Sequence, residues 1–149
     1  MEKLPNQTTV RAWIELNRAQ RNLLEQISQS LKDANLPPLE WYDVLYELHK
    51  AGKDGLRQFE IGELVLLSKH NLSRLIDKLE QEQLVRRESC VSDGRGNHVL
   101  ITKQGTIALR QIWPVYGSCL QRHIGAVLTD EESQYLAMLL GKLNAKQNL

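Results

Sequence analysis

The sequence predicts a mainly α fold with a small β-hairpin wing, a winged helix-turn-helix joined to a helical dimerisation region. Three observations predict it. Apolar residues recur at spacings of three, four or seven over long stretches, the signature of one-sided helices. A break at Ser68 separates two short helices, and the second pairs a narrow apolar seam with polar faces. Two short strand-like runs then flank Val91-Ser92-Asp93-Gly94-Arg95-Gly96-Asn97, whose Gly, Asp and Asn residues suit an exposed hairpin tip.

The elements follow in order. Trp13, Leu16, Leu23, Leu24, Ile27 and Leu31 make one stripe on a long helix from about Thr8 to Asp33. Asn35-Leu36-Pro37-Pro38 ends it, because proline lacks an amide donor and biases its predecessor away from the α region. A second helix spans about Leu39–Lys50, with Trp41, Val44, Leu45 and Leu48 inward, and Gly52 to Gly55 breaks the chain again. Helices at about Glu60–Leu67 and Lys69–Gln81 form the helix-turn-helix, with Ser68 placed to cap the second. Leu72, Leu75, Ile76 and Leu79 form that helix's seam. Strands are expected at Val85–Cys90 and His98–Thr102. Thr102 can cap a helix of about Lys103–Val127, in which Pro114 introduces a kink. Thr129-Asp130-Glu131-Glu132 is a capping box opening a last helix to about Ala145, with Tyr135, Leu136, Leu139, Leu140 and Leu143 apolar.

A chain of 149 residues can bury roughly 68–70% of its unfolded surface, so it needs no disulfide or metal staple. The expected organisation is a single intertwined unit. An N-terminal dimerisation helix occupies 1–38, the winged helix-turn-helix 39–102, and C-terminal dimerisation helices 103–149. The outer helices carry more apolar surface than a three-helix core can cover, which points to a homodimer. No run is long and apolar enough for a membrane span and the first ten residues are polar, so the expectation is a cytoplasmic protein without a membrane partner.

Nineteen Lys and Arg stand against 18 Asp and Glu, so any basic patch must be local. There is no His-Glu-x-x-His, phosphate-cradling glycine loop or nucleophile elbow, so no catalytic residue, metal or cofactor is assigned. Cys119 and His123, four apart on one helix, are two ligands without a third. The candidate DNA-binding residues are Ser68, Lys69, His70, Asn71, Ser73, Arg74 and Lys78 around the second helix, with Arg86, Asp93 and Arg95 in the wing. The first turns of such a helix can enter a major groove, and its N-terminus favours phosphate. Asn71 or Arg74 is placed to read a base, while Ser73 and Lys78 suit phosphate. Arg95, at a glycine-flanked tip, can reach a narrow minor groove. Of Arg86 and Arg87, one should flank phosphates and the other pack locally. Trp13, Trp41, Tyr42, Asp43 and Tyr116 form a candidate effector pocket for a small aromatic ligand, since Trp and Tyr give flat apolar walls with one polar handle each. A winged helix that binds protein, or a small ligand-binding helical protein without a DNA role, are the alternatives.

Four motifs in order carry a family resemblance. Leu66-Leu67-Ser68-Lys69-His70-Asn71-Leu72-Ser73-Arg74-Leu75-Ile76-Asp77-Lys78-Leu79-Glu80, followed by Leu84-Val85-Arg86-Arg87, resembles the helix-turn-helix of the MarR (multiple antibiotic resistance regulator) family. Asp93-Gly94-Arg95-Gly96 and Val99-Leu100-Ile101-Thr102-Lys103-Gln104-Gly105 are similar to its wing signature, although many relatives carry Arg or Lys where Gly94 stands. Leu39-Glu40-Trp41-Tyr42-Asp43-Val44-Leu45 and Trp113-Pro114-Val115 are similar to a common subgroup. The resemblance implies a homodimeric transcription factor on a near-palindromic double-stranded DNA operator. Many members of the family are repressors released by a small, often aromatic and anionic ligand and others respond to oxidants through cysteine, and the resemblance carries the wing roles to Arg95 and Asp93.

Overall fold

Apolar periodicity and local stop signals build a mainly helical chain with, among the described residues, one small sheet. The computed structural model describes residues 1–66, 71–89 and 97–145. Two compact units form, one from Met1–Ile27 with the chain from Tyr116 onward, the other from Ser28–Val115. No helix among the described residues is long and apolar enough to cross a membrane.

Helix α1 spans Gln7–Asp33. Burial along its stripe rises toward the C-terminus, from an exposed Trp13 to a fully buried Leu31. Asn35 ends the helix with φ 55°, as Leu36 N–H reaches Leu31 O and Asn35 N–H reaches Lys32 O. These two bonds are a Schellman closure, with asparagine at the left-handed position. Pro37 and Pro38 follow, and α2 runs Leu39–Ala51.

Gly52 and Gly55 bracket a 3-10 turn, Gly52–Asp54, that the helical pattern did not predict. Gly55 has φ +63°, and a Cβ there would lie 2.5 Å from Val99 O, so only glycine lets the chain pass this close. The passage creates a third strand, β1 Leu56–Arg57, also absent from the sequence expectation. Strands β2 Val85–Ser89 and β3 Asn97–Ile101 match the expected hairpin to within one residue at their described ends. The sheet is antiparallel in the order β1-β3-β2, with Val85 opposite Ile101, Arg87 opposite Val99 and Leu56 opposite Val99.

Helices α3 Gln58–Leu64 and α4 Leu72–Gln81 complete the second unit with the start of α5 Lys103–Leu120. Val44, Leu45, Leu48, Ile61, Ile76, Leu79, Val85, Val99 and Leu109 form one closed core. Two expectations need correction here. Helix α3 begins at Gln58 and stops at Leu64, because Glu60 accepts the Arg57 N–H at 2.9 Å and Val65 turns extended. The following helix begins at Leu72 rather than Lys69, because Asn71 adopts φ 64° and serves as its N-cap. Asparagine tolerates that conformation, and its carbonyl accepts the first helical bond from Leu75 N–H at 2.9 Å. Ser68, the expected cap, lies outside the described residues.

In the first unit, the expected helix to Val127 is shorter. Regular α geometry ends at Leu120, and a π-helical turn, Gln121–Gly125, takes over. The capping box at Thr129 is present in both directions, with Glu132 N–H donating to Thr129 Oγ1 and Thr129 N–H to Glu132 Oε1. It opens α6, Asp130–Asn144, which has no buried residue.

Candidate nucleic-acid interface

The helix-turn-helix is set by how α4 meets the core. Ile76 and Leu79 are fully buried, Leu72 and Leu75 half-buried, and Ser73, Arg74, Asp77 and Lys78 exposed. The inward positions spend the whole seam on the core, so one polar face remains for solvent or a ligand. Asn71, Ser73, Arg74 and Lys78 therefore share the exposed side of this element, Asn71 just ahead of its first turn. Lys78 Nζ lies 3.5 Å from Glu82 Oε1, an exposed pair that leaves the ammonium accessible. The first backbone amides of α4 add the partial positive charge of a helix N-terminus.

Polar groups that periodicity does not reveal fix the end of α3 and the C-terminal end of α4. On the α3 side, the buried Asp43 carboxylate on α2 accepts the Leu66 N–H at 2.8 Å, tying the residues just after α3 to α2. Behind α4, Gln83 takes φ 65°, with Leu84 N–H on Leu79 O and Gln83 N–H on Glu80 O, a second Schellman closure. The chain reverses into β2, where Arg87 returns to α4. Its Nη1 donates to Glu80 Oε1 and its Nη2 to Asp77 Oδ1, both at 2.7 Å, and its backbone N–H donates to Glu80 Oε2 at 3.2 Å. Partial burial works against the guanidinium charge, but the hydrogen bonds it donates to Asp77 and Glu80, together with their negative charges, outweigh that and hold the Arg87 pKa above its ordinary value.

The wing is braced at its base by the Thr-x-x-Gly segment. Thr102 Oγ1 donates to Gln83 O at 2.7 Å while accepting the Gly105 N–H at 3.0 Å, which caps α5 as expected. A Cβ on Gly105 would lie 2.2 Å from Leu84 O, so the glycine permits the close approach of α5 to the strand entry. Arg86 is exposed on β2 and pairs with Glu88, whereas Arg87 packs locally against α4. Lys69, His70, Asp93 and Arg95 lie outside the described residues, as does Ser68.

The aromatic set divides between the units. Trp13, 65% exposed, and the half-buried Tyr116 belong to the first; Trp41, Tyr42 and Asp43 belong to the second. Within the second, Tyr42 stacks on Tyr46 at 5.9 Å and on Trp113 at 6.2 Å between ring centroids, and Lys50 Nζ sits 4.8 Å from the Tyr46 ring. Sequence reasoning missed Tyr46 and Trp113 as partners of Tyr42. The spacing of Tyr42 and Tyr46, four apart on one helix, was the available signal.

A core-seated helix with a polar outer face, followed by an antiparallel hairpin, defines a winged helix-turn-helix, a fold used by many DNA-binding regulators. Comparison with known proteins narrows this class. A model of the MarR family matches residues 34–96. The HTH-type transcriptional regulator MhqR of Bacillus subtilis (strain 168) is 31% identical over 141 residues, covering 93% of this chain and 94% of that protein. The chain belongs to the MarR family of DNA-binding transcriptional regulators. Two solved structures share its fold. One is a MarR family transcriptional regulator from Streptomyces coelicolor in complex with DNA, with a TM-score of 0.85 and 23% identity over 96% of this chain and 89% of that one. The other is Bordetella bronchiseptica BpsR, whose DNA binding is regulated by 6-hydroxynicotinic acid, with a TM-score of 0.81 and 19% identity over 97% of this chain and 100% of that one.

Proposed function

We propose that this regulator is a homodimeric repressor acting in the cytoplasm. It places one α4 per subunit in successive major grooves of a near-palindromic operator, about 10 bp apart. The single observation that carries the dimer is the state of α6. It has no buried residue, although Tyr135, Leu136, Met138, Leu139 and Leu143 are all large and apolar. Val10, Trp13 and Ile14 are exposed in the same unit. An apolar surface of this extent on a folded chain marks an association surface, and the two chain ends that carry it are the proposed dimerisation segments.

Asn71 or Arg74 reads a base, Ser73 and Lys78 hold phosphate, Ser68, Lys69 and His70 face bases or phosphates, and Arg86 flanks the phosphates. Arg95 enters the minor groove, with Asp93 supporting the tip. The supporting observation is the exposure of Asn71, Ser73, Arg74, Lys78 and Arg86 beside a fully committed seam. The protein regulates rather than catalyses. A small aromatic ligand releases it by favouring a dimer whose recognition helices are misspaced. Of the candidate ligand residues, Trp41, Tyr42 and Asp43 lie in the second unit, where the Tyr46–Tyr42–Trp113 stack supplies aromatic surface.

The test is sedimentation of the purified protein together with titration of a duplex that it enriches from a random pool. A dimer at micromolar concentration whose affinity falls steeply with salt is expected. A monomer, or salt-insensitive binding, would contradict the reading. For the ligand, tryptophan fluorescence during titration with aromatic acids should change in step with loss of DNA. An unchanging signal across the panel would count against the pocket.

A further inference from the structure

We infer that Arg87 is a positioning residue for DNA recognition, clamped by Asp77 and Glu80 so that it fixes α4 against wing strand β2. The inference rests on the reading of α4 as the DNA-reading helix and adds a role for two acids on it. Negative side chains on a helix that meets a polyanion carry an electrostatic cost. Here they do something that offsets it. Glu80 spends both carboxylate oxygens on Arg87, one on the guanidinium and one on the backbone amide, while Asp77 takes the other terminal nitrogen.

The geometry separates Arg87 from its neighbour. The Arg87 side chain is 24% exposed against 56% for Arg86, and both of its terminal nitrogens donate to carboxylates. A planar fork that meets two acids three residues apart on one helix face sets an orientation as well as a distance. The clamp spans the turn in which Gln83 holds a left-handed conformation, so it acts where the angle between α4 and β2 is decided. Recognition groups need their supports held to within a fraction of an ångström, and the clamp supplies such a support.

A phosphate-contacting Arg87 and a positioning Arg87 predict opposite signs for one substitution. Glu80→Gln removes a negative charge from the DNA-binding region, so a purely electrostatic role makes binding tighter. The clamp makes it weaker. The probe is the duplex enriched by the wild-type protein from a random pool, titrated by fluorescence anisotropy at several salt concentrations. Glu80→Gln and Arg87→Lys should each weaken binding roughly three- to tenfold, and the Glu80→Gln/Arg87→Gln double variant should be no weaker than Arg87→Gln alone. The slope of log affinity against log salt should stay within about half a unit of wild type, because no phosphate contact is removed. Thermal melting of each variant verifies folding, and Arg87→Lys, which keeps the charge and loses the fork, carries the test if Glu80→Gln does not fold. The inference is overturned if Glu80→Gln binds as well as or better than wild type. It is equally overturned if Arg87→Gln lowers the salt slope by about one while Arg87→Lys binds normally. A wild-type protein that enriches no duplex overturns the recognition-helix reading beneath it.

Discussion

The two units of the chain spend their apolar residues in opposite ways. In the winged-helix unit, Leu45, Leu48, Ile61, Ile76 and Leu79 are completely buried, and the helix that carries Ile76 and Leu79 is left with a polar outer face. In the other unit, α6 buries nothing and displays Tyr135, Leu136, Met138, Leu139 and Leu143. The first pattern describes a unit with a buried core of its own, although Phe59 and Leu66 stay exposed on it. The second leaves a wide apolar surface exposed, the surface on which the proposed dimer rests. Stability of the first should be independent of concentration, and stability of the second should follow mass action.

The comparison can be broken most forcefully in the closed core. Ile76→Ala removes a fully buried side chain where α4 meets the sheet, and should cost about 2–5 kcal/mol. The loss, read by denaturant unfolding, should be the same at low and high protein concentration. A concentration-dependent loss would mean that the winged helix is not self-sufficient. In the open unit, Leu136→Asp places a charge on the exposed apolar face and should abolish self-association, at a cost of about 2 kcal/mol or more at the paired surface. Sedimentation reads it, and a dimer that persists unchanged would remove α6 from the interface.

A smaller effect is expected at the turn. Asp43→Ala leaves the Leu66 N–H without its carboxylate and should destabilise the chain by about 1–3 kcal/mol. Asp43→Asn keeps an acceptor and should recover most of that loss. The smallest effect is a gain. Gln83 holds φ 65° at the Schellman position, where a side chain costs about 1–2 kcal/mol. Gln83→Gly relieves this and returns part of it as unfolded-chain entropy, for a net stabilisation of about 0.5 kcal/mol. A lower melting temperature for that variant would show that the Gln83 side chain contributes contacts of its own.

The elements that sequence reasoning placed well are those with local chemical punctuation. Pro37 and Pro38 separate α1 from α2, and the Thr129 capping box opens α6, so these boundaries fall within one residue of expectation. What escaped depends on distant partners or on a backbone conformation that leaves no periodic trace. The two residues of β1 are a strand only because Val99 and His98 pair with them. The start of α4 was misplaced because Asn71 turns left-handed in a run of helix-compatible residues. The apolar stripe continues past Leu120 through Ile124 and Val127, which concealed the end of regular geometry in α5. At the candidate interface, the exposed face of α4 was legible from the spacing of Leu72, Leu75, Ile76 and Leu79. The support from Asp43 and Arg87 was not, since each bridges elements whose meeting only the fold decides.

The most direct test of the account is the stoichiometry and salt dependence of the complex with the duplex enriched from a random pool, measured together by analytical ultracentrifugation. Two chains per duplex, with affinity falling by orders of magnitude between roughly 50 and 200 mM salt, is the predicted result. One chain per duplex, or an affinity indifferent to salt, would contradict it.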